Sequence, residues 1–593
     1  MPIIRPDALL GNLISSELFG ANILATVDSL GPGGTYEPVI ESLGVSHVRY
    51  PGGALAEQYF DITDPTRSVA ESAITGQAVP FLPYDDFMTW AETNDLEVTI
   101  VIPTLTQLGD EADADANGDR FPNVDEAALR TFVSDTIGGT YGSPRIRAFE
   151  IGNEYYGGGE MTSVEYGRLA SEMSVIIRDE IDSHPLASAF VETDVLVQMG
   201  DNFGTAILDT AYRDVGTPEE QLEALEQNYG MEFPPDVYLF SNGNVSWTRV
   251  NSALVAREFD TPEEQDSVDA IVAHVYGRGL DVPNSWSFDY RVIDDVMADN
   301  FPDATKYVTE WNTRSTAFTT EENEIYGLDN AHEMLHILHA MTDNNVEAAH
   351  VWPVQQNTAT DLSGGEGQTD LTVPGEMFRI MSENLPGTYS INLDGSSPRE
   401  DEVVTMDYDY WLFAGPEKSS LFVFASSEAE ADVSLDMSEV FTDTGTVSVQ
   451  RLGVQPGDDP ESRDARPDLQ SLDPAQVMNG HTAETTLGPK EILHIAFDNP
   501  TYEPQFGNII PDYVPPEEDV INEQDGEDQG GEIIFDDQGN IQDDQIVFDD
   551  QGNIVGDEGD PADPVFDDDD DGSDLGAVLG ALMILPLLMA MGR

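Results

Sequence analysis

The sequence predicts a TIM-type (β/α)₈ barrel followed by a C-terminal antiparallel β-sandwich and then an acidic disordered tail. From about residue 15 to 375, short β-rich apolar runs alternate with helical patterns, which argues for βαβ units on a parallel sheet. Eight such runs can be found, the number a barrel needs. From about 376 to 500 helical periodicity weakens, and apolar and polar residues alternate between turn residues, the pattern of a sandwich.

The eight predicted barrel strands lie at 18–24, 46–53, 97–105, 145–154, 194–200, 268–277, 306–312 and 347–355. The stretch 201–267 is longer than one connection requires and reads as a helical insertion. The domain boundaries drawn are 1–375 for a catalytic barrel and 376–500 for the sandwich. A low-complexity acidic linker is read at 501–574 and a hydrophobic segment at 575–593. In the linker, IIFDDQGNI (533–541) recurs as IVFDDQGNI (546–554), and two copies do not make a solenoid. The stretch 575–592 is just long enough to cross a bilayer, although Pro586 interrupts it.

Composition limits the partners. The chain of 593 residues carries 114 acids and 24 bases, a net charge of −90. Glu517 to Asp574 holds 24 of the acids and no base, so the rest still sets 90 acids against 24 bases. Nucleic acid is excluded as a partner, because phosphate binding needs clustered Lys and Arg. Self-repulsion at this charge calls for screening by salt or divalent cations. With no cysteine there are no disulfides and no thiolate metal sites. The N-terminus lacks a basic region followed by an apolar run of signal-peptide length. An extracellular or cell-surface location, with membrane contact through 575–592, is therefore expected to be encoded at the C-terminal end.

Two predicted strands run apolar into a glutamate: RIRAFEIGNE reaches Asn153-Glu154, and KYVTE reaches Glu310 before Trp311-Asn312. Glutamates that close buried strands are a small subset of the 114 acids, since burying a carboxylate is costly. Glycoside hydrolysis with retention needs two carboxyls about 5–5.5 Å apart. In a barrel such groups stand at C-terminal strand ends.

Asn-Glu at the fourth strand and glutamate at the seventh resemble the clan A retaining glycoside hydrolases. Arg49-Tyr50-Pro51-Gly52-Gly53 resembles the second-strand motif of their arabinofuranosidase, β-xylosidase and heparanase-like branches. The resemblance spans roughly residues 15–500. It implies a carbohydrate substrate, with Glu154 as acid/base and Glu310 as nucleophile. It also implies that Asn153 bonds the sugar 2-hydroxyl and that Arg49 keeps Glu310 ionised. His274 and Tyr276 end the sixth strand, with Tyr276 placed to donate to the nucleophile. Trp352 ends the eighth as a floor for a sugar ring. Tyr155 departs from the pattern, standing where many members have proline. The competing reading on this scaffold is a catalytically silent carbohydrate-binding or cell-surface protein, against which the intact glutamate pair argues.

Two further motifs need placing. His332-Glu333-Met334-Leu335-His336 matches the H-E-x-x-H zinc-protease pattern, with His339 one turn on. On a helical wheel Met334, Leu335, Ile337, Leu338 and Met341 share one face, while His332, His336, His339 and Asp343 share the opposite one. In a barrel helix that second face is expected to look at solvent, so structural or surface histidines are expected rather than a zinc metalloprotease. Asp113, Asp115, Asn117, Gly118 and Asp119 match the opening of a calcium loop, but Val124 stands where a bidentate acid is expected. The segment reads either as a structural calcium site or as a plain acidic loop. No cofactor is required for the catalysis inferred.

Overall fold

The computed structural model describes residues 2–514, apart from 32, 280–281, 315–324, 357, 366, 394–406 and 427–428. The acidic tail, its paired repeats and the segment 575–592 lie outside the described residues. No helix among the described residues is long and apolar enough to cross a membrane.

Eight parallel strands close a barrel in chain order: Gly20–Asn22, His47–Tyr50, Glu97–Ile102, Ile146–Ile151, Asp194–Gln198, Ala270–Gly277, Thr305–Thr313 and Val346–Val351. Each overlaps the run predicted for it, because strands buried on both faces read as continuous apolar stretches. The insertion is helical, with Pro218–Tyr229 and Trp247–Ala256 its longest pieces. Inside the barrel Ala148, Leu196, Ala270, Val272, Tyr307 and Ala348 form an apolar layer. Two residues further along three of these strands stand Glu150, His274 and Thr309, which begin a polar layer toward the C-terminal mouth.

The seventh strand carries a bulge that shapes this layer. Val308 pairs with Ala273 and Glu310 with His274, so Thr309 is an extra residue. A bulge breaks the alternation of side chains. Thr309 and Glu310, although adjacent, both reach the polar interior, and Trp311 packs outward near Phe378.

The C-terminal part has a seven-stranded antiparallel sheet in the order Pro6–Leu10, Tyr389–Leu393, Tyr408–Ala414, Lys418–Ala425, Ile492–Asp498, Thr446–Val454, Pro467–Leu472. The chain thus enters this sheet before it enters the barrel. A three-stranded sheet (Ala431–Asp436, Thr482–Leu487, Met478–Asn479) contributes to the same sandwich core. The central strands of the large sheet, Tyr408–Ala414, Lys418–Ala425 and Ile492–Asp498, are buried on both faces: Tyr410, Leu412 and Ala414 join the sandwich core, whereas Trp411 and Phe413 join the core of the barrel helices.

That second face corrects the expectation for the histidine-bearing helix, Gly327–Asp343. Its His332 and His336 are buried, not solvent-facing. The His332 ring stacks on Phe424 at 4.2 Å and His336 meets Trp411 edge-on at 4.9 Å. A helical wheel finds two faces but cannot tell that a sheet distant in sequence covers the polar one.

Candidate active site

The two predicted glutamates meet at the barrel mouth. A carboxylate oxygen of Glu154, a carboxylate oxygen of Glu310 and a ring nitrogen of His274 all lie within 4.8 Å of one another. His274 Nδ1 stands 3.3 Å from Glu154 Oε1 and 3.6 Å from Glu310 Oε2. Its Nε2 is 3.1 Å from Thr309 Oγ1, which donates to Glu150 Oε1 at 3.0 Å. Thr309 therefore accepts from His274, which assigns a proton to Nε2 and leaves Nδ1 to face the two glutamates. Tyr276 donates to Glu310 Oε2 at 2.8 Å.

Arg49 is the hub below. Its Nε and Nη2 donate to Glu150 at 2.6 and 2.9 Å. Nη1 donates to Asn22 Oδ1 at 2.9 Å and to Glu310 Oε1 at 3.2 Å, and Nη2 also reaches Asn153 Oδ1 at 2.7 Å. Only a guanidinium offers donors in this planar fork. Since Asn153 gives its oxygen to Arg49, its buried Nδ2 remains a donor without a partner among the described residues.

Burial and neighbouring positive charge act on Glu310 in opposite senses. Burial pushes the Glu310 carboxyl up; the charge of His274 opposes this, Glu154 reinforces it, and Arg49 and the Tyr276 hydroxyl pull it back. The net direction is upward, with burial the largest cause and Arg49 acting against it as expected. Burial alone would lower His274, but Glu310 and Glu154 outweigh it and hold the imidazole above its ordinary value. Tyr276 is driven upward by burial and by Glu310, so it stays a donor. At the cleft wall, burial lifts Asp201 to about 6 and Asp289 to about 7.

The other predicted residues divide. Trp352 is 8% exposed and packs against Gly52 and Gly53. A Cβ on Gly53, whose φ is +61°, would stand 2.6 Å from the indole, which accounts for the paired glycines. Tyr155 points away from the cleft: its ring stacks on Tyr166 at 4.2 Å and its hydroxyl meets Ser163 Oγ at 2.9 Å. In the acidic loop Arg168 donates to Asp115 Oδ2 at 2.7 Å and to the Asp119 carbonyl at 3.4 Å. A guanidinium thus engages two of the groups a calcium ion would need, and among the described residues Asp113, Asp115 and Asp119 do not converge as a metal shell. Glu333 of the zinc-type motif accepts from Gly279 N at 2.8 Å and Trp286 Nε1 at 2.6 Å. With its histidines stacked on aromatic rings beneath the sheet, the motif forms no open coordination position for a catalytic zinc among the described residues.

Sequence reasoning missed Glu150, Thr309 and Glu57. A signal existed for Glu150, an acid inside the apolar run RIRAFEI of a strand buried on both faces. For Thr309 the signal is hidden by the bulge. Glu57 follows the Pro-Gly-Gly turn on a five-residue helix, Leu55–Tyr59, and is buried. Its burial lifts its carboxyl, against the pull of bonds from Thr104, Asn153 and Leu105.

No protein-family model matches the chain, and no curated protein does. Solved structures share its fold. An alpha-L-arabinofuranosidase from Thermotoga maritima superposes with a TM-score of 0.55 at 14% identity, covering 84% of this chain and 99% of that one. A family 51 alpha-L-arabinofuranosidase from Bifidobacterium longum gives 0.54 at 15% identity over 83% and 97%. A Paenibacillus polymyxa xyloglucanase of glycoside hydrolase family 44 gives 0.51 at 12% over 84% and 99%. These neighbours are glycoside hydrolases of the kind the motifs resemble, and the likeness at this identity is one of fold.

Proposed function

We propose that the chain is a retaining glycoside hydrolase, with Glu310 as nucleophile and Glu154 as acid/base. The observation that carries this reading is that one oxygen of each carboxylate lies within 4.8 Å of an oxygen of the other, which supports a close pair of carboxyl groups. Inversion needs about 6.5–9.5 Å to admit a water between them, whereas retention needs about 5–5.5 Å.

In the first step a Glu310 oxygen bonds to the anomeric carbon as the glycosidic C–O bond breaks. Glu154 gives its proton to the departing oxygen. In the second step Glu154 takes a proton from water, whose oxygen displaces Glu310 from the anomeric carbon. Arg49 and Tyr276 hold both Glu310 oxygens, and His274 Nδ1 stands within 3.6 Å of an oxygen of each glutamate. Asn153, with its oxygen taken by Arg49, directs its amide N–H to a sugar hydroxyl. Trp352 supplies an apolar floor. No cofactor enters either step.

Aryl glycosides test the reading, arabinofuranoside and xyloside first. Glu310→Ala abolishes turnover, and azide restores it with inverted anomeric configuration. Glu154→Ala retains cleavage of good leaving groups. Equal and total loss in both variants, without anion rescue, refutes the assignment.

A further inference from the structure

Glu57 has no place in the two steps above, yet its carboxylate collects four donors around the start of the acid/base turn. Oε2 accepts from the backbone N–H groups of Thr104 and Leu105, each at 2.8 Å. Oε1 accepts from the Thr104 hydroxyl at 2.9 Å and from the backbone N–H of Asn153 at 2.9 Å. Glu57 thus ties the loop after the third strand to the residue before Glu154. Gly152 and Gly158 sit against its side chain, at 3.2 and 3.4 Å from an added Cβ. The turn it holds is strained. Gly152 has φ +75° and Glu154 itself φ +44°, a left-handed conformation that is disfavoured for the non-glycine Glu154. Such a backbone persists only where its surroundings over-determine it. The Asn153 N–H is the only donor of the four that belongs to this turn.

We propose that Glu57 is the positioning residue of the acid/base: by anchoring the Asn153 N–H it sets where the Glu154 carboxyl stands over the bond to be cleaved. This rests on the glycosidase reading. An amide cannot replace the carboxylate. Two backbone N–H groups at Oε2 require an acceptor there, so the NH₂ of a glutamine would face the Asn153 N–H, donor against donor. The Thr104 hydroxyl can rotate to accept; the Asn153 N–H cannot.

The test is kcat/KM of wild type and Glu57→Gln on aryl glycosides with graded leaving groups, alongside melting curves. A displaced acid harms substrates that need protonation. Glu57→Gln is expected to lose about 10²-fold on poor leaving groups and less than about 10-fold on a dinitrophenyl glycoside, steepening the dependence on leaving-group basicity. A merely structural role lowers every substrate alike, and an unchanged slope overturns the proposal. Thr104→Val, which removes one donor, is expected to steepen the slope in the same direction by less; it decides the matter if Glu57→Gln does not fold. A wild-type protein that cleaves no member of the series overturns the glycosidase reading itself, and the positioning role with it.

Discussion

His332→Phe is expected to make the fold less sensitive to acid. In the native protein burial holds the His332 pKa near 3, with Lys490 adding to the depression. An unfolded histidine titrates near 6.5. Native stability is therefore full above about pH 6.5 and falls as pH drops toward the folded value, because the unfolded chain takes up the proton first. The slope is about 1.4 kcal/mol per pH unit for one such group. At pH 5 the loss due to His332 amounts to about 2 kcal/mol. Phenylalanine keeps the stacking on Phe424 and removes a ring nitrogen, Nε2, that has no hydrogen-bond partner among the described residues. The facing titratable groups, His336, Lys490 and Asp329, remain. Urea unfolding followed by tryptophan fluorescence should give nearly equal stabilities at pH 7.5. At pH 5 the variant should exceed wild type by about 2 kcal/mol. Parallel pH dependences for the two proteins would refute the placement of a neutral, buried His332 beneath the sheet.

Tyr276→Phe removes the 2.8 Å donor that pulls Glu310 down, so the acidic limb of the kcat/KM profile should move to higher pH; an unmoved limb contradicts Glu310 as the ionised nucleophile. Arg49→Lys replaces a fork spanning Glu150, Glu310, Asn22 and Asn153 by one ammonium. Steady-state assays should show kcat/KM down by about 10²-fold, since small misplacements of reacting groups cost that much. Gly53→Ala drives a methyl into Trp352 at a left-handed position, and should both lower the melting temperature and raise KM. Elemental analysis of purified protein should find no stoichiometric zinc, and calcium should leave the melting temperature unchanged, because Arg168 already engages Asp115 and the Asp119 carbonyl.

Local pattern was enough to place the eight barrel strands and the two glutamates. A parallel strand buried on both faces must be written as an apolar run, and a glutamate ending such a run stands out against an acidic background. Arg49, Asn153, His274 and Tyr276 were legible through short motifs. What each one touches was not. The division of Arg49 between Glu150 and Glu310, and the burial that raises the Glu310 pKa, depend on three strands meeting inside a closed barrel. The inward turn of both Thr309 and Glu310 depends on a one-residue bulge against the sixth strand, which leaves no mark on composition. Glu57 looks like any of the 114 acids until the fold brings four donors to it. The face of the His332 helix was read correctly as a face and wrongly as surface, because burial is a property of what lies opposite. Strand periodicity is a matter of neighbours along the chain; hydrogen-bond partners, desolvation and charge sharing are set by residues tens to hundreds of positions away, and only the tertiary structure brings those together.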